Sequence, residues 1–256
     1  MSKLTALSLF SGAGGMDVGV ESAGIDVVYA NEINKHASET YKANFGDFIK
    51  CSDIAEELDF MSSYSGVDLV FGGPPCQAFS VAGKMDVNDP RAQLVDSFME
   101  VVKIVKPKMF IMENVKALAK LSKFDSVRER LINKANSNNY EVDLVTINAK
   151  DFGVPQARER MFFVGIKKGK PFSLMNYLRH YYQPEISTKK ALAHLGKQGT
   201  SKNPKTCNAF ISLAKRPILR RSPYAGMLFN GAGRPINPSC PAPTLPASMG
   251  GNRTPI

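Results

Sequence analysis

A single cysteine, Cys76, follows a short apolar run, two glycines and two prolines in the stretch FGGPPCQAFS, residues 71–80. The prolines restrict the backbone beside the cysteine, and the glycines let another group approach closely. A cysteine held in this way is a candidate nucleophile if its surroundings favour the thiolate. Because a lone cysteine is also a common core residue, this stretch alone leaves catalysis and packing as equal alternatives.

Two further stretches carry groups that could act with such a nucleophile. Glu113 and Asn114 follow the apolar residues 109–112, which predict a buried strand. A carboxyl group beside a low-dielectric wall can stay protonated near neutral pH and act as an acid. Arg158 and Arg160 alternate before another strand, so both are expected on one side, where they suit an anion or a carbonyl oxygen. The alternatives are a helix cap for the glutamate and a surface ion-pair ladder for the arginines.

The stretch LSLFSGAGGMDVG, residues 7–19, predicts a strand, a glycine-rich turn and a helix. Such a turn lets a cofactor approach the backbone, and the helix N-terminus supplies N–H donors. Glu32 ends the next predicted strand, 20 residues after Gly12, which suits a carboxylate accepting from ribose hydroxyls. Asp53 follows a third β-like region, where it could accept from an adenine amino group or be an ordinary turn residue. The pattern fits NAD, FAD and S-adenosylmethionine equally well, and a turn without a ligand stays open.

A regular framework must position these groups, and residues 1–165 alternate between predicted strands and helices. The alternation indicates an α/β fold with a doubly wound, mostly parallel sheet covered on both faces. The carboxyl ends of such strands face one crevice, so Glu113 is expected to project into the same crevice as Cys76. The predicted strands span residues 4–10, 26–30, 68–71, 109–112, 140–148 and 161–166, and the predicted helices span 15–22, 34–44, 94–105 and 124–135.

The amino-acid composition changes near residue 167, where proline, lysine, serine and asparagine become frequent. This change predicts a first domain over residues 1–166 and a smaller, irregular, basic domain over 167–256. Residues 1–165 hold 18 Lys and Arg against 22 Asp and Glu, whereas residues 166–256 hold 15 against one, Glu185. So basic a region favours a polyanionic partner, most simply nucleic acid, over a merely solvated surface.

Other features of the sequence exclude some classes of protein. No stretch reaches the roughly 18 apolar residues of a membrane span, and the N-terminus reads as a strand, so a cytoplasmic protein without membrane association is expected. The four cysteines include no C-x-x-C pair, and the three histidines are scattered. This pattern argues against a structural zinc site and against disulfides, so no metal is expected.

Taken in order, FSGAGG, NE at 31–32, GGPPCQAFS, MENV and QARERMFFVG resemble the successive motifs of the cytosine-C5 DNA methyltransferases. The resemblance covers residues 4–166 and resumes in RPINPSCPAPTLPASMGGNRTPI, which is similar to the end of that family's target-recognition domain. It implies a Rossmann-like, S-adenosylmethionine-dependent methyltransferase domain over residues 1–166. It also implies an incomplete, DNA-binding target-recognition domain over residues 167–256.

The resemblance implies that S-adenosylmethionine lies against Phe10 and the glycine turn, with Glu32 at the ribose and Asp53 and Ile54 at the adenine. The implied cofactor-binding residues are Phe10, Gly12, Gly14, Gly15, Glu32, Ile33, Asp53, Ile54, Gly73, Pro75 and Leu94. A mobile loop over residues 77–91 is implied to close over the substrate. Its implied DNA contacts are Gln77, Ser80, Lys84 and Arg91.

The resemblance also implies a mechanism on double-stranded DNA. The Cys76 thiolate attacks C6 of a cytosine flipped out of the duplex, while Glu113 hydrogen-bonds or protonates N3. C5 then takes the methyl group, and loss of the C5 proton with elimination of Cys76 regenerates the enzyme. Arg160 holds the base carbonyl, and Arg158 braces the site.

The sequence departs from the family pattern near its end. Two elements that follow the recognition domain in the family, a helix and a Gly-Asn segment that completes the cofactor pocket, are not found up to Ile256. The chain is therefore expected to be part of a split enzyme with a second polypeptide, or a truncated gene product, or a non-catalytic DNA-binding subunit. The first two are favoured because every catalytic residue is present. A bacterial or phage restriction-modification origin is expected.

Two other functions are weighed against DNA methylation. Methylation of tRNA is a close alternative, but the Cys-Phe-Thr tripeptide typical of that branch is absent, because Cys207 precedes Asn208. A nicotinamide-dependent oxidoreductase would have no use for the Pro-Cys, Glu-Asn-Val and paired-arginine elements.

Overall fold

The computed structural model describes residues 3–75, 79, 93–169, 172–196, 200–203, 219–221, 228–230 and 237–244. The strands are β1 (Thr5–Leu9), β2 (Asp26–Asn31), β3 (Ile49–Lys50), β4 (Leu69–Gly72), β5 (Met109–Val115), β6 (Tyr140–Asn148), β7 (Gln156–Ala157), β8 (Glu159–Lys167), β9 (Leu219–Arg221), β10 (Leu228–Asn230) and β11 (Ala242–Pro243). The α-helices are α1 (Gly15–Ser22), α2 (Lys35–Phe45), α3 (Leu94–Val105), α4 (Lys116–Lys120), α5 (Asp125–Ser137), α6 (Leu174–Leu178) and α7 (Thr188–Ala191). No helix among these residues is long and apolar enough to span a bilayer.

A seven-stranded sheet has the order β3-β2-β1-β4-β5-β8-β6. The pairs β1–β2, β1–β4, β2–β3 and β4–β5 are parallel, and β8 runs antiparallel to β5. The chain winds outward in one direction from β1 through β3 and in the other from β4. The strand order therefore reverses between β1 and β4, and in such sheets ligands bind outside the carboxyl ends of the strands at this point. The α/β, mostly parallel fold expected from the sequence is confirmed.

The core lies on both faces of this sheet. Side chains alternate along β1, so Leu7 and Leu9 join the cluster under α3 and α5, whereas Ala6 joins a smaller cluster against α1. The apolar residues of α3 recur at helical spacing and are buried: Val95, Phe98, Met99, Val101, Val102 and Val105. This packing holds the carboxyl ends of the central strands in place.

Most predicted elements are found within one or two residues of their expected ends, but one end is wrong. The prediction ended a strand at Met112, whereas β5 continues to Val115. Antiparallel pairing with β8 extends the strand, since Val115 pairs with Arg160. The prediction from hydrophobicity missed this extension, because Glu113 and Asn114 near the end of the strand are polar. Glu113 and Asn114 consequently lie within a strand and point to opposite faces.

The chain divides into two compact units. The first comprises Met1–Ile147 and Arg160–Leu178, and the second comprises Asn148–Glu159 and Arg179–Ile256. This division differs from the predicted boundary at residue 166, because residues 148–159 fall in the second unit and residues 167–178 fall in the first. Pairing explains the difference, because β7 in the segment 148–159 pairs with β11, so this segment belongs with the later residues. The second unit also contains α7 and the antiparallel pair β9–β10.

Candidate active site

A cavity of about 140 Å³ lies at the reversal of the strand order. Its walls come from the residues that follow β1, β2, β3 and β4, and from the start of α3. Eight of the residues that the sequence assigned to a cofactor line it: Phe10, Glu32, Ile33, Asp53, Ile54, Gly73, Pro75 and Leu94. The fold thus brings together five segments that are separated in the sequence.

Two carboxylates of this cavity are fixed by backbone N–H groups. Glu32 accepts from the N–H of Gly12 at 2.9 Å and from the N–H of Asn34 at 2.7 Å, one to each oxygen. Asp53 accepts from the N–H of Ala55 at 2.9 Å and so caps a short helical turn. A carboxylate oxygen can accept more than one hydrogen bond, so both side chains keep capacity for hydroxyl or amino donors of a ligand.

Sequence reasoning missed two polar residues of the same cavity, Asn31 and Ser52. Asn31 is buried, and its Nδ2 donates to the carbonyl oxygen of Ser52 at 3.0 Å. The Ser52 hydroxyl in turn hydrogen-bonds Glu57 at 2.7 Å, and the Tyr29 hydroxyl approaches the other Glu57 oxygen at 3.4 Å. This network ties the end of β2 to the segment that carries Asp53. The position of Asn31 directly before Glu32 was the available signal.

The turn after β1 uses its residues in different ways. Phe10, which lines the cavity, has a φ of 53°, a left-handed conformation that is uncommon outside glycine. Gly14 caps α1 with a φ of 91°, and an added Cβ would lie 2.1 Å from the ring of Phe45. Gly12 and Gly14 therefore shape the turn. Gly15 lines a second cavity, of about 190 Å³, which shares Phe10 and Gly73 with the first.

Glu113 faces the carboxyl end of β4. A Cβ on Gly73 would lie 3.4 Å from Glu113 Oε2, so glycine lets the carboxylate approach the backbone. Glu113 Oε1 forms an ion pair with Nε of Arg160 at 2.9 Å. On the opposite face of β5, the buried Asn114 donates from Nδ2 to the carbonyl oxygen of Pro74 at 3.2 Å. Asn114 thereby holds the segment that leads to Cys76.

Cys76 itself lies outside the described residues, as do Gln77, Ser80, Lys84 and Arg91. Pro75, directly before it, and Phe79, three residues after it, are described. Pro75 lines the first cavity, and Phe79 is fully buried, with its ring 5.2 Å from that of Phe124.

Arg158 belongs to the second unit, where its N–H donates to Asn148 Oδ1 at 2.9 Å. Its predicted role beside Arg160 stays a prediction. Among the described residues, no group of three or more His, Cys, Asp or Glu is arranged to hold a metal ion.

A parallel sheet with a carboxylate-lined cavity at its reversal defines a Rossmann-like α/β protein with a candidate nucleoside site. The acidic pair suits ribose and adenine donors, and Ile33, Ile54 and Leu94 supply apolar walls for a base. The model of the C-5 cytosine-specific DNA methylase family matches residues 4–219. The chain belongs to this family.

Curated relatives agree with this assignment. The chain is 37% identical to type II methyltransferase M.FnuDI of Fusobacterium nucleatum over 209 residues, which are 78% of this chain and 60% of the relative. It is 40% identical to M.AquIA of Picosynechococcus over 182 residues, 65% of this chain and 73% of that relative. The chain thus spans less than two thirds of the length of M.FnuDI.

A solved structure gives the same fold. A DNA modification methyltransferase encoded within an E. coli prophage superposes with a TM-score of 0.66 at 23% identity. The match covers 94% of this chain and 82% of that protein.

Proposed function

We propose that this chain carries the catalytic and cofactor-binding domain of a DNA cytosine-C5 methyltransferase that uses S-adenosylmethionine. One observation carries the proposal. The cavity lined by eight motif residues lies beside Gly73, and Gly73 borders the Glu113–Arg160 ion pair. Cofactor and acid-base groups would therefore meet at the segment that bears Cys76.

S-adenosylmethionine would supply an electrophilic methyl group. The residues present fit its nucleoside portion. Glu32 would accept hydrogen bonds from the ribose hydroxyls, and Asp53 would accept from the adenine amino group. The base would pack between apolar side chains, and Phe10 would form the end of this compartment nearest the reacting groups. Membership of the family supports this choice over NAD or FAD.

The roles proposed for the catalytic residues follow from their chemistry. The Cys76 thiolate would add to C6 of a cytosine flipped out of duplex DNA, because neither face of a stacked base is accessible. Glu113 would hydrogen-bond or protonate N3, so that the ring can accommodate the electron density that the addition places in it. Arg160, which holds Glu113 in this structure, would orient that carboxyl and contact the base carbonyl. Loss of the C5 proton after methylation would release Cys76.

The second unit would bind the DNA. This unit, residues 148–159 and 179–256, holds 14 Lys and Arg against three Asp and Glu, which suits contacts to phosphates. We propose that this unit is the target-recognition domain and that Gln77, Ser80, Lys84 and Arg91 contact DNA near the flipped base. The protein would methylate DNA in the cytoplasm of a bacterial or phage-infected cell.

The test is transfer of a radiolabelled methyl group from S-adenosylmethionine to mixed-sequence duplex DNA. Cys76→Ala should abolish incorporation and retain binding of S-adenosylhomocysteine. Cys51→Ala is the matched control, because Cys51 is an exposed free cysteine that does not line the cofactor cavity. Continued C5 methylation by the Cys76 variant would refute the proposed covalent mechanism.

Parallel assays separate the alternatives. Label entering tRNA instead of duplex DNA would favour the RNA-methylating branch. Salt-sensitive DNA binding without any affinity for S-adenosylhomocysteine would favour a non-catalytic DNA-binding subunit. Cofactor binding without transfer would indicate that further family elements, on a second polypeptide or elsewhere, must be supplied for turnover.

A further inference from the structure

A chain of hydrogen bonds lies behind the wall of the first cavity. Its central residue is Glu57, which ends the short helical turn Ile54–Glu57 and does not itself line the cavity. Glu57 Oε1 accepts from the Ser52 hydroxyl at 2.7 Å, and Oε2 accepts from the Tyr29 hydroxyl at 3.4 Å. Glu57 therefore joins the buried strand β2 to the segment that carries Asp53.

The groups in this chain fix the direction of its hydrogen bonds. Tyr29 is buried, and burial, with a smaller contribution from the Glu57 carboxylate, raises the pKa of its hydroxyl above the ordinary value. The Tyr29 hydroxyl therefore stays protonated and donates. A carboxylate only accepts, so the Ser52 hydroxyl directs its single proton to Glu57. Ser52 Oγ can then only accept further hydrogen bonds, and it accepts one from Asn31 Nδ2 at 3.3 Å.

Other contacts hold both ends of this chain in place. The Tyr29 ring packs against the Tyr64 ring, with 5.2 Å between the centroids. Asn31 is buried and also donates to the carbonyl oxygen of Ser52 at 3.0 Å. Asn31 thus holds the backbone of Ser52, and Glu57 holds its hydroxyl. These contacts fix the conformation of the residue directly before Asp53.

We propose that Glu57 is a positioning residue that makes the first cavity selective for a base with an amino group. This inference rests on the proposed function, in which Asp53 accepts from the adenine amino group. Because Glu57 takes the Ser52 proton, Ser52 and Asp53 both stand in the cavity wall as acceptors. Without Glu57, the Ser52 hydroxyl would be free to donate to the Asp53 carboxylate and would compete with the amino group. A base without the amino group would not be affected by this competition.

The test compares two ligands by calorimetry: S-adenosylhomocysteine and its analogue in which hydrogen replaces the adenine amino group. Wild-type protein should bind S-adenosylhomocysteine about 10-fold more tightly or better. Glu57→Ala should lose about 5- to 10-fold in affinity for S-adenosylhomocysteine and less than about 2-fold for the analogue, so the preference largely disappears. Glu57→Gln keeps an acceptor for the Ser52 hydroxyl and should retain most of the preference.

Glu56→Ala is the matched control, because Glu56 is the exposed neighbour of Glu57 on the same turn. It should keep the wild-type preference. Ser52→Ala removes the proton that Glu57 accepts and leaves the contact with Tyr29 in place. This variant should also lose preference, and adding Glu57→Ala to it should change the preference little further, because both changes break the same link.

Several results would overturn the inference. An equal loss of both ligands in Glu57→Ala would indicate that Glu57 only supports the cavity as a whole. An unchanged preference in that variant, or additive effects of the Ser52 and Glu57 substitutions, would show that Glu57 does not act through Ser52. Equal affinities of wild type for the two ligands would mean that the cavity does not select the amino group. Wild-type protein that binds neither ligand would instead refute the proposed function itself.

Discussion

Asp17 and Asp68 are carboxylates at opposite ends of the same sheet, and their surroundings are opposite. Asp68 precedes β4 at its amino end, where Oδ2 accepts from the N–H of Thr5 at 2.8 Å and Oδ1 pairs with Lys108 at 2.6 Å. These contacts, with Lys108 first, lower the pKa of Asp68 below its usual value. Asp17 lies in α1, beyond the carboxyl end of β1, where it is fully buried, and this burial raises its pKa although the hydroxyls of Ser8 and Tyr41 lower it.

The difference extends beyond these two residues. At the amino end of the central strands, both oxygens of Asp68 have partners within the protein. The carboxyl end holds a left-handed Phe10, buried polar side chains and an ion pair at the edge of a cavity. Strained backbone and buried polar groups of this kind cluster where a protein binds ligands, because a ligand can form the interactions that the protein itself does not form. Changes at the carboxyl end should therefore affect activity more than stability, and changes at the amino end should do the reverse.

The largest effect is expected at Glu113. Glu113→Gln keeps the size of the side chain and removes the acid, so methyl transfer should fall by about 10²-fold or more. Affinity for S-adenosylhomocysteine should fall much less than the rate of transfer, because Glu113 lies outside the cavity proposed for the nucleoside. Single-turnover transfer with saturating cofactor and DNA measures the effect.

Glu100→Gln is the control for this experiment, since Glu100 pairs with Lys103 on the surface of α3. It should transfer methyl groups at the wild-type rate. If Glu113→Gln retained more than a tenth of wild-type activity, the claim that changes at the carboxyl end of the strands mainly affect activity would be wrong.

The next effect is expected at Gly72, the last residue of β4. A Cβ there would lie 2.0 Å from the carbonyl oxygen of Leu9, a backbone atom that cannot move without shifting β1. Gly72→Ala should lower the free energy of unfolding by about 1–3 kcal/mol. It should also weaken cofactor binding, because β1 and β4 flank the cavity. Denaturant unfolding and calorimetry measure the two quantities.

Gly19→Ala is the matched glycine control. Gly19 is exposed in the middle of α1, and an added Cβ meets nothing within 4 Å. This change should stabilise the protein by about 0.5–1 kcal/mol, because alanine is the better helix former. If both alanine variants behave alike, the close approach of β4 to β1 is not what requires glycine at position 72.

The elements around the site could largely be predicted from the sequence, because the signals for each element lie in its own residues. Apolar periodicity marked α1 and α3 at their observed bounds, and glycine or acidic residues after each strand marked the cavity walls. The end of β5 could not be predicted in the same way. It depends on pairing with β8, more than forty residues later, and not on the residues of β5 themselves.

The buried polar groups were harder to predict than the motif residues. Ser8 stands in an apolar run and Asp17 between Met16 and Val18, so each looks like an ordinary polar interruption. Only the fold shows that both are buried at the wall of one cavity. The division into two compact units also departs from the predicted boundary at residue 166, because β7 joins the second unit through pairing with β11 and not through composition.

A smaller effect is expected on stability at Asp17. Its folded-state pKa lies above the unfolded value, so its contribution to stability is complete below the unfolded pKa and is lost as pH rises through the folded pKa. Asp17→Asn cannot ionise, so the variant avoids this loss of stability at high pH, and its side chain keeps an acceptor for the Tyr41 hydroxyl. We expect the variant's melting temperature to exceed that of wild type by about 2–4 °C at pH 8 and by less at pH 5. An equal difference at both values would mean that the carboxyl charge is not responsible.

The smallest effect, with the opposite sign, is expected at Asp68. Its folded-state pKa is depressed, so its contribution is present above the unfolded pKa and is lost as pH falls through the folded pKa. Asp68→Asn should lower stability near pH 7 by less than about 1 kcal/mol, because Lys108 is 74% exposed and solvent screens the pair. The difference from wild type should shrink as the pH falls toward 3. Thermal unfolding of the two aspartate variants over one pH series therefore gives curves that diverge from wild type in opposite directions as pH rises. Curves that diverge in the same direction would show that the two ends of the sheet do not differ in the way that the hydrogen bonds indicate.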